Sequence, residues 1–324
     1  MKFMGAPLLM NMLIILLIIT LAGCSKEDLS KKQLEELTYE LTGQVSADSL
    51  ESYVTWLQNM GTRFMLADNR RDVAVAIKNR FIAFGYTGTR LDSFMVDRTF
   101  DDVRYVLWQY NVIARITGVE TPGNIYVMGG HYDSIVRDGE DPFEIAPGAD
   151  DNASGVAATL EVARIFMEYD FIPSGTIEFV AFAAEELGLY GSWHYADKAR
   201  EEDINILLMM NNDMIAYEPS DDPQDWVVTI LNYPNSVPER VEAQEMADRF
   251  TCLNTYNEAT YSDRTDSWPF SQNGYKALFF NKYAADPFYH TVGDLAEACN
   301  FEYCGEVTRI NLALLVAKNH MISK

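Results

Sequence analysis

Positive charge is scarce in this chain. Lysine and arginine number 25 against 48 aspartates and glutamates, and the 324 residues carry a formal net charge of -23. Such a balance excludes nucleic acid and anionic membrane surfaces as partners, because both are bound by basic patches. It suits a cationic ligand instead, a metal ion or a free amine, unless the acidic surface serves solubility alone. Histidine is rarer still, at four, and cysteine equals it. Once Cys24 is set aside with the N-terminal segment, Cys252, Cys299 and Cys304 remain. Cys299 and Cys304 stand close enough to close a small loop, and an odd number leaves one thiol unpaired. Internal repeats and low-complexity runs are missing too. With 48% apolar residues, wholesale disorder is excluded and a packed core is expected.

The one long apolar run opens the chain. Lys2 supplies a charged start, Leu8 to Leu21 the apolar stretch, and the segment closes at Gly23, too short and too poorly flanked for a comfortable membrane span. Leu21-Ala22-Gly23-Cys24 resembles the lipobox of bacterial lipoproteins, which implies cleavage before Cys24, acylation of that cysteine, and a lipid-anchored place in the cell envelope. An ordinary secretory signal is the alternative. Ser25-Lys26-Glu27-Asp28 resembles the export signal of surface lipoproteins and would put the chain on the outer membrane, facing outward; a solvated tether is the other reading. The expected organisation is a lipoprotein signal peptide at 1–23, an acylated tether at 24–45 (a stalk or a loosely docked helix), and one domain over 46–324. The membrane is then met only through the anchor.

Past the tether, helix-spaced apolar residues predict helices over 49–59 and 71–84, the first capped by Ser46 and the second stopped by Gly85. Strand patterns follow at 90–96, 103–116 and 124–130. From there strands (176–183, 204–211, 226–231, 277–281) alternate with helices (155–168, 189–199, 237–250, 307–322). That rhythm predicts an α/β fold, a mostly parallel, mixed central sheet with helices on both faces.

Four strand ends in this reading finish in polar, metal-competent residues: His131-Tyr132-Asp133, Glu185-Glu186, Asn211-Asn212-Asp213 and, after a loop, Tyr289-His290-Thr291. The apolar strand leading to Glu185 and Glu186 ends in two adjacent carboxylates, which repel unless a cation sits between them. Imidazole nitrogen with carboxylate oxygen and no thiolate suits zinc or a similar divalent ion. Two of the four histidines fall in this set.

These motifs, HYDS at 131–134, PGADDNASG at 147–155, AFAAEELGLYGS at 181–192, NNDM at 211–214 and YHT at 289–291, resemble in type, order and spacing the M28 family of di-zinc aminopeptidases. The resemblance implies a zinc-dependent exopeptidase fold of the phosphorylase/hydrolase-like kind and two zinc ions, with manganese or cobalt as alternatives. It makes Asp151 the bridge between the ions; Glu186 and His290 complete one site, and His131 and Asp213 the other. It makes Glu185 the general base and Asp133 the carboxylate that orients the His131 ring. It further implies a cis peptide between Asp151 and Asn152. Asp150 reads as a neighbour, not a ligand. The run from Thr265 to Phe270 resembles the family's Ser-Asp-His-x-Pro-Phe, except that Ser267 stands where the family often has histidine.

Substrates are then peptides with a free N-terminus. Candidates for the substrate pocket are Asp266, Trp268, Phe270 and Tyr289, with Tyr256, Tyr261, Tyr283 and Phe288 nearby and Asp263 and Arg264 on the adjoining loop; aromatics at this density also make cores. His194 and His320 read as surface residues. Two alternatives keep the scaffold: a carboxypeptidase or glutaminyl cyclase, and a catalytically silent cell-surface binding module.

Overall fold

Thirteen of the polar and apolar runs above become the spine of one mixed sheet and its covering helices. The computed structural model describes residues 26–137, 139–257 and 262–319; the signal segment, Cys24, Tyr261 and His320 lie outside them. In chain order the elements are α1 (Lys26–Thr42), α2 (Ala47–Gln58), α3 (Arg70–Phe84), β1 (Arg90–Phe100), β2 (Val103–Ile116), β3 (Thr121–His131), α4 (Ser154–Glu168), β4 (Gly175–Phe182), α5 (Tyr190–Glu201), β5 (Asn205–Asn212), β6 (Val227–Asn232), α6 (Val237–Phe250), β7 (Asn254–Tyr256), α7 (Ser267–Gln272), β8 (Ala277–Lys282) and α8 (Phe301–Asn319). Ser46 caps α2 by accepting the Ser49 N–H, and Gly85 ends α3 at φ 109, a left-handed position that costs glycine nothing.

The strands run β1-β2-β4-β3-β5-β8-β6-β7 across the sheet. Its middle four, β4, β3, β5 and β8, are mutually parallel; at one flank β1 and β2 pair antiparallel with their neighbours, and at the other β6 runs antiparallel to β8 with β7 parallel to β6. Each central strand is buried on both faces, and its residues alternate between two cores. Met128, Phe179, Ala181 and Met210 join the larger layer with α2, α3, α4 and α8. Val127, Val180, Phe182 and Met209 join a smaller layer with Tyr195, Ala196 and Phe270 of α5 and α7. Such double coverage explains why these strands read as unbroken apolar runs.

The segment expected as a tether, either a stalk or a loosely docked helix, is a helix docked into the packed body. Helix α1 lies along α8, with Leu41 and Val45 only 1% and 5% exposed in the main core and Leu34 and Leu37 packed against it. The domain therefore begins before Ser46. Cys252, Cys299 and Cys304 are all free thiols, so no loop is closed between the last two.

Candidate metal centre

Parallel strands end on one sheet edge, and that edge gathers every residue the motifs singled out. β3 ends on His131, β4 runs into Glu185 and Glu186, β5 is followed by Asp213, and the loop after β8 brings His290. The backbone bends sharply at three of these ends. Ala184, Met214 and His290 hold φ values of 62, 54 and 57, a region that non-glycine residues enter at a cost of order 1–3 kcal/mol each and that clusters at ligand clamps.

Asp151 sits on an irregular turn, Ala149–Ala153, whose entry is Gly148 at φ 50. A Cβ at Gly148 would lie 2.4 Å from the Asp151 carbonyl oxygen, so only glycine permits this approach. The Asp151–Asn152 peptide is cis, as the resemblance implies. The Asn152 side chain donates to the Asn212 carbonyl at 2.9 Å and accepts the Gly155 N–H at 2.9 Å, tying the turn to β5 and α4.

The two carboxylate oxygens of Asp151 face different histidines: Oδ1 lies 3.3 Å from His131 Nε2, and Oδ2 lies 3.0 Å from His290 Nε2. His131 Nε2 is also 3.4 Å from Asp213 Oδ1, and His290 Nε2 is 3.0 Å from Glu186 Oε2. Two triads share Asp151, His131-Asp151-Asp213 and Asp151-Glu186-His290, and a third group joins His131, Glu185 and Glu186; the atoms each offers to an ion lie within 4.8 Å of one another. Glu185 stands beside them, its Oε2 3.9 Å from His131 Nε2.

Buried polar atoms without a partner test whether a cation fits. Glu186 Oε1 and Asp213 Oδ1 have no hydrogen bond among the described residues, which is costly unless a ligand satisfies them. The charges point the same way. Burial opposes an imidazolium at His131, yet the carboxylates of Glu185, Asp213 and Asp151 outweigh it and hold the proton well above the histidine range. His290 rises to about 9 against burial, through Asp151 and Glu186. Burial, then the Asp151 charge, lifts Glu186 to about 7. Burial, then Glu186, Asp213 and Asp266, pushes Glu185 well above its ordinary range despite His131. The cluster is short of positive charge, and nitrogen-plus-oxygen triads of this kind suit a divalent ion.

Asp133 acts differently from the expectation. Its carboxylate accepts the N–H groups of Glu185 and Glu186 at 2.9 and 3.2 Å, and lies 3.7 Å from His131 Nδ1. It is the Asp133 carbonyl, 3.0 Å from Nδ1, that receives the ring N–H and leaves Nε2 free to face the centre. Asp150 is a neighbour, as read. It takes the Ala216 and Tyr217 N–H groups and pairs with buried Lys282 at 2.6 Å.

The pocket candidates divide. Trp268 and Tyr289 line a cleft of about 350 Å³ over the centre, with Glu185, Glu186 and His290 at its floor. Phe270 does not; it is core, packed on Phe182 and Tyr195. Asp266 is likewise enclosed, and burial, with the Asp213 and Asp133 charges acting against His131, lifts its carboxyl to about 7. Tyr256 and Tyr283 meet edge to face with ring centroids 4.9 Å apart, and Phe288 meets Tyr217. Ser267, in the expected histidine position, hydrogen-bonds Tyr233 at 2.8 Å.

Three further groups brace the ligands, and of these Asp294 and Arg63 lie in no motif recognised in the sequence. Thr265 donates to Asp213 Oδ2 at 2.9 Å. Asp294 accepts the N–H groups of Asp150 and Asp151 at 2.7 and 3.0 Å. Arg63, 1% exposed, gives its guanidinium to the carbonyls of Tyr132, Pro147 and Gly148 at 2.7–2.8 Å.

Comparison with known proteins agrees with this geometry. A probable zinc metalloprotease of Leptosphaeria maculans is 28% identical over 331 residues, spanning 87% of this chain and 76% of the relative. An aminopeptidase from Aneurinibacillus sp. strain AM-1 has the same fold at 17% identity, with a TM-score of 0.72 over 87% of this chain and 96% of that one. So does a glutaminyl cyclase of Bacteroides thetaiotaomicron, at 18% identity and a TM-score of 0.67 over 86% and 99%. Residues 111–315, which hold every member of the two triads, match the model of Peptidase family M28, and the chain belongs to that family.

Proposed function

We propose that the chain is a zinc aminopeptidase that hydrolyses the first peptide bond of substrates with a free N-terminus, using two ions. The observation carrying this reading is Asp151, which offers one carboxylate oxygen to each triad. His131 and Asp213 would hold one ion, Glu186 and His290 the other, and Asp151 both. Manganese or cobalt would accept the same donors. Such ions, when bound, supply Lewis acidity, lowering the pKa of water and stabilising negative charge on a carbonyl oxygen.

The remaining work falls to protein groups. Glu185 is the one carboxylate at the cleft floor outside both shared triads, and as general base it takes a proton from the attacking water. The water oxygen joins the acyl carbon as the C–N bond breaks, and the proton leaves on the amine. Asp133 fixes Glu185 and Glu186 by their backbone N–H groups, so the base keeps its place while its side chain exchanges protons. The cyclase reading, in which one zinc suffices, makes no use of two complete triads, and this favours the peptidase.

Glu185→Gln is the deciding variant. Hydrolysis of amino-acyl anilides should fall by about 10²–10⁴-fold while bound metal, counted by elemental analysis, stays at two per chain. Persisting turnover would remove Glu185 from the role. One tight zinc together with cyclisation of N-terminal glutamine would replace the peptidase by the cyclase.

A further inference from the structure

We propose that the cleft over the metal centre selects substrates carrying a carboxylate beside the scissile bond, and that Arg137 and Arg264 recognise it; this rests on the aminopeptidase reading of the same site. The cleft is walled by Leu189, Trp193, Trp268 and Tyr289, and both arginines line it. They come from two different loops, one after β3 and one before α7, and meet His290 in the cleft lining. The Arg137 N–H donates to the His290 carbonyl at 3.0 Å. Arg264 lines the cleft together with Tyr289, whose ring stacks on His290 at 3.8 Å.

Neither guanidinium has a hydrogen-bond or ion-pair partner among the described residues, although Asp263 and Glu186 line the same cleft. In a chain with 48 acidic side chains against 25 basic ones, carboxylates for pairing are plentiful. These two guanidiniums, without a partner among the described residues, are therefore the arginine cations that a ligand in the cleft meets. The planar fork of arginine matches a carboxylate with two parallel hydrogen bonds. An apolar side chain would leave both charges without a counterpart. The carboxylate has two possible sources: the side chain of an N-terminal Glu or Asp, or the C-terminal group of a dipeptide.

The test is calorimetric binding to the zinc-loaded Glu185→Gln protein, which separates recognition from turnover. One arm compares Glu-Ala with Gln-Ala, and the other Gln-Ala with its C-terminal amide; each pair differs by one charge. The proposal expects at least tenfold tighter binding of the charged member in one arm. That arm names the source, and the advantage should vanish when Arg137→Gln and Arg264→Gln are combined in the same background. Equal affinities in both arms, absence of binding, or a preference that survives the double replacement would overturn it. Wild-type hydrolysis of Leu-anilide without any charge preference leaves the aminopeptidase reading standing alone. Charge-selective binding by a protein that cleaves no N-terminal residue leaves this inference standing alone.

Discussion

Arg63 shows how much of the centre depends on a residue that never faces the cleft. Its three donors hold carbonyls of Tyr132, Pro147 and Gly148, next to His131 and Asp133 on one side and to the Asp151 turn on the other. Burial pulls the guanidinium down to about 10, and Asp294, Asp133, Asp151 and Glu186 pull the other way, so it stays charged and offsets part of the acidity nearby. Arg63→Met strands three buried carbonyls and should cost about 3 kcal/mol or more in denaturant unfolding, with weaker zinc binding in a competition titration. Arg63→Lys should recover only part, since one ammonium cannot span three acceptors in a fixed fork. A variant with unchanged stability and zinc affinity would refute this. No sequence pattern announces Arg63, which stands 68 positions before His131. The ligands were legible because their types and spacings are set by the ion; the groups that brace them answer only to backbone carbonyls brought close by folding. For the same reason Asp133 was legible as a support, but which of its oxygens meets the ring was not.

Among the elements, those with a strong apolar period were readable, and their bounds differ from expectation by a few residues. The pieces that escaped lack such a period: β7 has three residues, α7 has six and contains Pro269, and the first turn of α8 starts six residues earlier than the pattern suggested. Helix α1 is the instructive case. Leu34, Leu37 and Leu41 form a narrow stripe on a largely polar helix, with Val45 just past its end, too little to promise burial until α8 supplies the opposing surface. Its docking is testable: Leu41→Ala should lower unfolding stability by about 2–5 kcal/mol, whereas a solvated tether would show no change.

At the scale of the molecule, acidity and ion binding are one problem. Without an ion, Glu186, Asp266 and Asp294 keep their protons to about 7 through burial and neighbouring acidic charge, while the unfolded chain releases them near 4. Folded acids with raised values bind more protons than unfolded ones, so stability present at low pH is lost as pH climbs from about 4 to about 7. Chelated protein should therefore melt at progressively lower temperature across that interval. Restoring zinc should raise the melting temperature most at the alkaline end, with about 2.7 kcal/mol gained at an ion concentration 100 times Kd. A chelated protein whose melting temperature is flat with pH would contradict the charge balance described above.

The order of the central strands also makes the two triads interdependent. His131, Asp151 and Asp213 come early in the chain, yet Thr265 and Asp294, which brace Asp213 and Asp151, come late, and the Asp213 N–H donates to the Phe280 carbonyl of β8. The strand whose following loop carries His290 to the second triad is thus also a wall of the first. Neither half of the centre is held by the chain before β8 alone, so the two triads are built together.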